Sequence, residues 1–130
     1  MNYYEFYKKS NESAVDFWKE QSQNIAWFSN PKTILSNDSN DYPLWFADGE
    51  LNACYLAVDK HIEDGFGEQV AIIYDSPVTQ TVKKYTFNEV KTEVAKLAGG
   101  LLSLGLEKGD TAVIYMPMIP QAAFAMLACA

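Results

Sequence analysis

The sequence predicts an α/β fold with a helical, aromatic-rich lead, and three observations carry that expectation. Before residue 64, large aromatic and aliphatic residues recur at helical spacing. From Val70 onward the order becomes strand, helix, strand, helix, the pattern of a βαβ layer fold. Between the two strands, Thr86-Phe87-Asn88-Glu89 has the form of a capping box.

In the lead, Tyr3, Phe6 and Tyr7 share one helical face. Asn11 or Ser13 can cap a second helix, in which Val15, Trp18 and Ile25 recur on one side. Asn30-Pro31 turns the chain into an extended piece, and the polar stretch 36–42 reads as a loop. Pro43-Leu44-Trp45-Phe46 is a short apolar strand or anchor, and Asp48-Gly49 is a turn. Leu51, Tyr55, Val58 and Ile62 then trace a helical stripe that ends at Gly65-Phe66-Gly67. The chain divides there, into 1–64 and 65–130.

In the second part, Val70-Ala71-Ile72-Ile73-Tyr74 is a strand by its β-branched content. Asp75-Ser76-Pro77 turns, and 79–85 can return as an antiparallel partner. The helix behind Thr86 places Val90, Val94, Leu97, Leu101 and Leu104 on its buried stripe, with Gly105 left-handed at its C-terminal end. Lys108-Gly109-Asp110 is a turn, and 111–116 (Thr-Ala-Val-Ile-Tyr-Met) reads as a second strand. Pro117 stops it, and Pro120 suits the first turn of a last helix over 121–130. That helix is apolar on every side, which predicts all-round burial and a longer parent protein.

The 130 residues carry a net charge of −7, and their ten basic residues are all lysine. Without arginine there is no bidentate fork for phosphate or guanine, so neither nucleic acid nor an anionic membrane is an expected partner. Cys54 and Cys129 show no metal-ligand spacing and are expected as free thiols. The N-terminus lacks the form of a secretory signal, and no apolar stretch nears the roughly 20 residues of a membrane span. These features together point to the cytoplasm.

Each residue that invites a chemical role has a plainer reading. His61 is the single histidine, and although Asp59, Glu63 and Asp64 lie near it, no second histidine or cysteine does. It is expected to be a structural hydrogen-bonding residue. Gly65-Phe66-Gly67 and Gly99-Gly100 lack the strand-to-helix placement and following Lys or Ser of a phosphate loop; the second pair is expected to permit close helix packing. The 117–120 turn follows a strand end, where α/β folds often place ligands, but a plain turn suffices. Trp18, Trp27 and Trp45 are expected as packing anchors, not a base-stacking platform.

Several strings resemble the acetyl- and propionyl-CoA synthetases. They begin with Phe17-Trp18, Trp27, Trp45-Phe46 and Gly49 followed by Leu51-Asn52. Val58-Asp59-Lys60-His61 follows, with Val and Lys where the family string has Leu and Arg. Further on come Ala71-Ile72-Ile73-Tyr74-Asp75-Ser76-Pro77-Val78-Thr79, Tyr85-Thr86-Phe87, Leu97-Ala98-Gly99, Leu104-Gly105 and Lys108-Gly109-Asp110. Ile114-Tyr115-Met116-Pro117-Met118-Ile119-Pro120 and Ala125-Met126-Leu127-Ala128-Cys129-Ala130 complete the series. Each string is weak alone; their shared order over residues 7–130 is specific. The Tyr-Asp-Ser-Pro-Val-Thr and Tyr-Met-Pro-Met-Ile-Pro strings favour the propionyl branch.

The resemblance implies that 1–64 is an acetyl-CoA-synthetase-type N-terminal segment. It implies that 65–130 begins the AMP-binding domain of an adenylate-forming enzyme, supplying its first βαβα portion. Such an enzyme activates propionate or acetate with ATP to acyl-AMP and passes the acyl group to CoA, with Mg²⁺ offsetting phosphate charge. The family's phosphate-binding loop, acyl pocket and catalytic lysine have no match here. No catalytic, cofactor-binding or metal-binding residue is therefore assigned, and the segment alone is expected to be inactive and to bind no cofactor. Its expected partners are the rest of its own polypeptide and, through the 121–130 helix, a second copy. The alternative is a stand-alone binding or oligomerisation module, for which the tryptophans and the apolar last helix are the features.

Overall fold

A computed structural model describes residues 2–130, which form two compact units that divide between Asn52 and Ala53. In the first, helix α1 (Tyr3–Glu12) begins with a capping box in which Asn2 Oδ1 accepts from the Glu5 amide at 2.9 Å and Glu5 Oε2 accepts from the Asn2 amide at 3.1 Å. Helix α2 (Ala14–Gln21) follows after Ser13. Phe17 joins the two helices: its ring meets Phe6 edge-on at 4.7 Å and is 1% exposed. Burial of such a side chain stabilises by about 1.5–3 kcal/mol. Lys9 and Glu20 add an ion pair between the same helices.

A 3-10 turn, Ser22–Asn24, leads to Trp27, whose indole N–H donates to the Ser22 carbonyl at 2.8 Å. Strand β1 (Leu35–Asn37) pairs antiparallel with β2 (Pro43–Trp45), with Leu35 opposite Trp45. The expected 36–42 loop thus gives its first two residues to a strand. Asp38 closes the hairpin by accepting from the Asn40 and Tyr42 amides at 2.8 and 2.9 Å, the local turn chemistry of aspartate. At Gly49 a side chain has no room, because a Cβ would stand 2.8 Å from the Trp27 ring.

The second unit opens with two π-helical turns, Tyr55–Asp59 and Ile62–Phe66, where a regular α-helical stripe was expected. Gly65 ends them at φ 90°, a backbone region open to glycine. Strands β3 (Val70–Ser76) and β4 (Thr81–Thr86) form an antiparallel hairpin with Ile72 opposite Tyr85 and an irregularity between Val70 and Ile72. Helix α3 (Phe87–Ser103) starts at the predicted capping box, and Gly105 beyond it has φ 89°. Helix α4 (Pro120–Cys129) has proline in its first turn and packs against α3.

The core gathers Val58, Tyr85, Val90, Val94 and Phe124, with Cys54, Ile62, Ala71, Ile72, Leu97, Leu127 and Ala128 packed around them. Tyr85 and Phe124 meet edge-on at 5.4 Å. Helices and strands are therefore mixed as predicted. Among the described residues both sheets are two-stranded and antiparallel. The expected strand 111–116 is not paired: Val113 is 88% exposed and Tyr115 fully so. A strand exists through its neighbour's hydrogen bonds, and none is in place here. Leu104, expected on the buried stripe, is exposed, because it sits at the C-cap where the chain leaves the helical path. Helix α4 buries Phe124 and Ala125 but presents Gln121, Met126 and Cys129 outward.

Candidate functional site

In the second unit an open groove of about 350 Å³ lies where β4, the first half of α3 and the start of α4 converge. Lys83 and Tyr85 come from β4, Asn88, Glu89, Thr92 and Glu93 from α3, and Gln121 and Phe124 from α4. The strand's alternation turns both Lys83 and Tyr85 to this side, while helical spacing lines up Asn88, Glu89, Thr92 and Glu93. No local string announces the groove, because three separated segments build it.

Its charged groups already have partners. The Lys83 ammonium lies 4.4 Å from the centre of the Tyr85 ring, a cation–π contact. Glu89 accepts from the Thr86 amide at 2.8 Å within the capping box, and Glu93 pairs with Lys96 at 2.8 Å. The Gln121 side chain and Thr92 hydroxyl complete the polar lining, but the Thr92 hydroxyl donates to the Asn88 carbonyl at 2.9 Å. The groove could hold a small polar group; it lacks an activated nucleophile or base.

The residues singled out in the sequence are dispersed. His61 lies with its ring 4.8 Å from that of Phe87 and tilted 35° to it. The neighbouring acids are each engaged: Asp59 with Lys91 at 2.8 Å, Glu63 with the Tyr55 hydroxyl at 2.7 Å, and Asp64 with Lys60. The accepted hydrogen bond and the charge of Glu63 hold the Tyr55 phenol above its ordinary pKa, and the Asp59 contact raises that of Lys91. Burial, aided by Asp59, pushes the Cys54 thiol up, away from thiolate reactivity. Among the described residues, no three histidines, cysteines or acids gather as a metal site.

Gly99 and Gly100, expected to allow close packing, face open space: beyond the helix's own backbone, a Cβ added at either would meet no atom within 4 Å. Gly109 turns at φ 100°, and Ile119 donates to the Pro117 carbonyl at 2.8 Å in the turn before α4. In the first unit, Trp27 packs on Phe46 at 5.7 Å and Trp45 on Phe46 at 6.1 Å, while Trp18 meets Phe17 at 5.1 Å. Trp18 and Trp45 keep about two fifths of their surface exposed, at 44% and 41%. No helix is long and apolar enough to cross a membrane among the described residues.

Comparison with known proteins gives the arrangement a context. Residues 3–57 match the family described as the acetyl-coenzyme A synthetase N-terminus, and residues 60–130 match the AMP-binding enzymes. The chain is 53% identical over 114 residues to the human mitochondrial acyl-CoA synthetase short-chain family member 3, covering 88% of this chain and 17% of that protein. It is 41% identical over 126 residues to acetyl-coenzyme A synthetase of Streptomyces coelicolor, covering 97% of this chain and 19% of the relative. An acetoacetyl-CoA synthetase structure from Streptomyces lividans superposes with a TM-score of 0.82 at 26% identity, over 98% of this chain and 20% of that one. The chain thus spans about a fifth of the length of these relatives.

Proposed function

The chain belongs to the AMP-binding enzymes, and we propose that it is the N-terminal scaffold of an acyl-CoA synthetase that activates a short-chain carboxylate. The observation that carries this reading is the pair of family matches in series, across 3–57 and 60–130, together with relatives named as synthetases at 41–53% identity. In the proposed reaction a carboxylate oxygen attacks the α-phosphorus of ATP and pyrophosphate leaves. The thiolate of CoA then attacks the acyl carbonyl and AMP leaves. The substrate we favour is propionate, with acetate next, because of the strings around Tyr74-Asp75-Ser76-Pro77 and Tyr115-Met116-Pro117.

No step of that chemistry is assigned to a residue of this chain. Mg²⁺ needs clustered oxygen ligands, and the described residues offer no cluster of three acids, histidines or cysteines. The groove's lysine lies over Tyr85 and its acids are engaged by Thr86 and Lys96, which does not fit a phosphate-bearing substrate. The chain's contribution is structural: a hairpin, α3 and α4 packed into one support. Both thiols are free, which supports a reducing compartment such as the cytoplasm.

The test is a chimera in which this chain replaces the matching region of the Streptomyces coelicolor enzyme. Acyl-CoA formation from propionate, ATP·Mg and CoA is expected from the chimera and not from the isolated chain. Product from the isolated chain would overturn the assignment of chemistry to other regions. A second reading, a self-associating module, is favoured by the apolar Met126 side chain, 66% exposed on α4. For it, Met126→Lys should convert dimers to monomers in sedimentation; identical oligomeric states in variant and parent would remove α4 as the contact.

A further inference from the structure

We propose that the π turn Tyr55–Asp59 is a register switch: it holds one surplus residue in the helix over 53–66, and the Tyr55–Glu63 hydrogen bond locks it there against a slip into an α-helical register. Residues 53–66 run as one unbroken helical stretch that contains both π turns. At the end of the first, the Lys60 amide donates to the Tyr55 carbonyl, five residues back. An α-helix reaches only four back, so this turn carries one residue more than an α turn would.

Two sets of contacts need that extra residue. The first is the core. Val58 is buried in it, and Cys54 and Ile62 pack against it. Eight residues of α-helix turn about 80° past two full turns, which would carry Ile62 off the side that Cys54 occupies. A surplus residue makes the pair equivalent to seven, about 20° short of two turns, and returns Ile62 to that side. The second set is polar. The Tyr55 hydroxyl donates to Glu63 at 2.7 Å, also across eight residues. The same rotation of about 80° would part them in a continuous α-helix.

The polar contacts differ in what they say about register. Lys60 and Asp64 pair four residues apart, beyond the π turn, and suit either winding. Asp59 leaves the helix to meet Lys91 of α3 at 2.8 Å, which ties the turn to its neighbour. Tyr55–Glu63 bridges the turn from one end to the other and is made only with the surplus residue in place. Cys54 and Ile62 are half-buried, so their core contacts alone hold the register weakly. Tyr55 is thus a positioning residue for the helix, and one hydroxyl decides between two windings of the same segment.

Two changes separate a lock from an ordinary hydrogen bond. Tyr55→Phe removes the hydroxyl. Deletion of Ala57, exposed within the π turn, removes the surplus residue. The chain, both single variants and the double variant are compared by NMR, with slow α3 amides verifying the fold. In the parent, scalar coupling across the hydrogen bond should join the Lys60 amide to the Tyr55 carbonyl. In Tyr55→Phe it should move to the Leu56 carbonyl, and amides of 59–63 should exchange roughly 10-fold faster. With Ala57 deleted, the carbonyl of residue 55 lies four residues before Lys60, and Tyr55→Phe should alter neither the coupling nor the exchange. Coupling to Leu56 in the parent, or coupling that stays on residue 55 in Tyr55→Phe, would overturn the switch. Equal acceleration with and without Ala57 would mark a plain surface bond and overturn it too. So would loss of α3 protection on deleting Ala57, since a surplus residue is dispensable. If α3 is unprotected in the isolated parent, the same four sequences in the chimera, read by exchange, decide between these outcomes.

Discussion

Lys91, in the first half of α3, donates to the Asp59 carboxylate at 2.8 Å, so the π-helical turn Tyr55–Asp59 is tied to α3 by charge as well as by Val58 in the core. The hydrogen bond to Asp59, then the carboxylate's charge, raises the Lys91 pKa in the folded chain. A raised folded-state pKa gives stability that is complete below the unfolded lysine value and is lost as pH rises through the folded one. Lys91→Met is therefore expected to lower the melting temperature slightly at neutral pH and to flatten the alkaline end of the stability curve. Thermal melts of both proteins from neutral pH into the lysine range check it. Parallel curves throughout would mean that the contact is idle.

Asp48 gives the opposite sign. The Thr33 amide, with Lys32 assisting, donates to its carboxylate at 3.1 Å and holds its pKa below the usual aspartate value, against partial desolvation. The associated stability is present above the unfolded aspartate pKa and is lost as pH falls through the depressed folded one. A carboxyl-carbon NMR titration should show Asp48 ionising below the usual aspartate range. In Asp48→Asn the amide protons of Lys32 and Thr33 should exchange faster.

The core of the second unit hangs on Phe124, which is 3% exposed and contacts Tyr85 edge-on. Phe124→Ala should cost about 3–5 kcal/mol in urea unfolding, from lost transfer energy plus the cavity left behind. Thr86→Ala removes one hydroxyl acceptor, 3.2 Å from the Glu89 amide, and should cost about 1 kcal/mol. If the two losses were equal, α4 would be peripheral to the fold.

The capping box at Thr86 and the left-handed Gly105 were legible because a few adjacent residues decide them. The π-helical turns were not: Tyr55, Val58 and Ile62 suit a regular helix as well as a widened one, and packing on α3 selects between them. Segment 111–116 shows the limit of composition. Its residues favour a strand, but pairing is a property of two segments, and among the described residues none pairs with it. The groove was invisible for a similar reason, since Lys83, Glu93 and Gln121 meet only when the hairpin, α3 and α4 pack. The tilted contact of the exposed His61 ring with Phe87 was illegible too, because it joins two separate segments of the chain.

Gly99 and Gly100 make the last prediction, because here local cost and surroundings separate. Both lie inside α3, and a methyl group at either position would meet nothing within 4 Å beyond the helix's own backbone. Glycine in a helix interior costs about 0.5–1 kcal/mol relative to alanine, mainly through the freedom of the unfolded chain. Gly99→Ala and Gly100→Ala should each stabilise the isolated chain by about that amount, read as a higher urea midpoint with an unchanged slope. Made in the chimera, the same substitutions ask what lies over this face in a full-length enzyme. A stabilisation of equal size there means that the face stays open. A loss means that another segment approaches the glycines closely enough to exclude a methyl group, and the pair then serves the packing role that its sequence suggested.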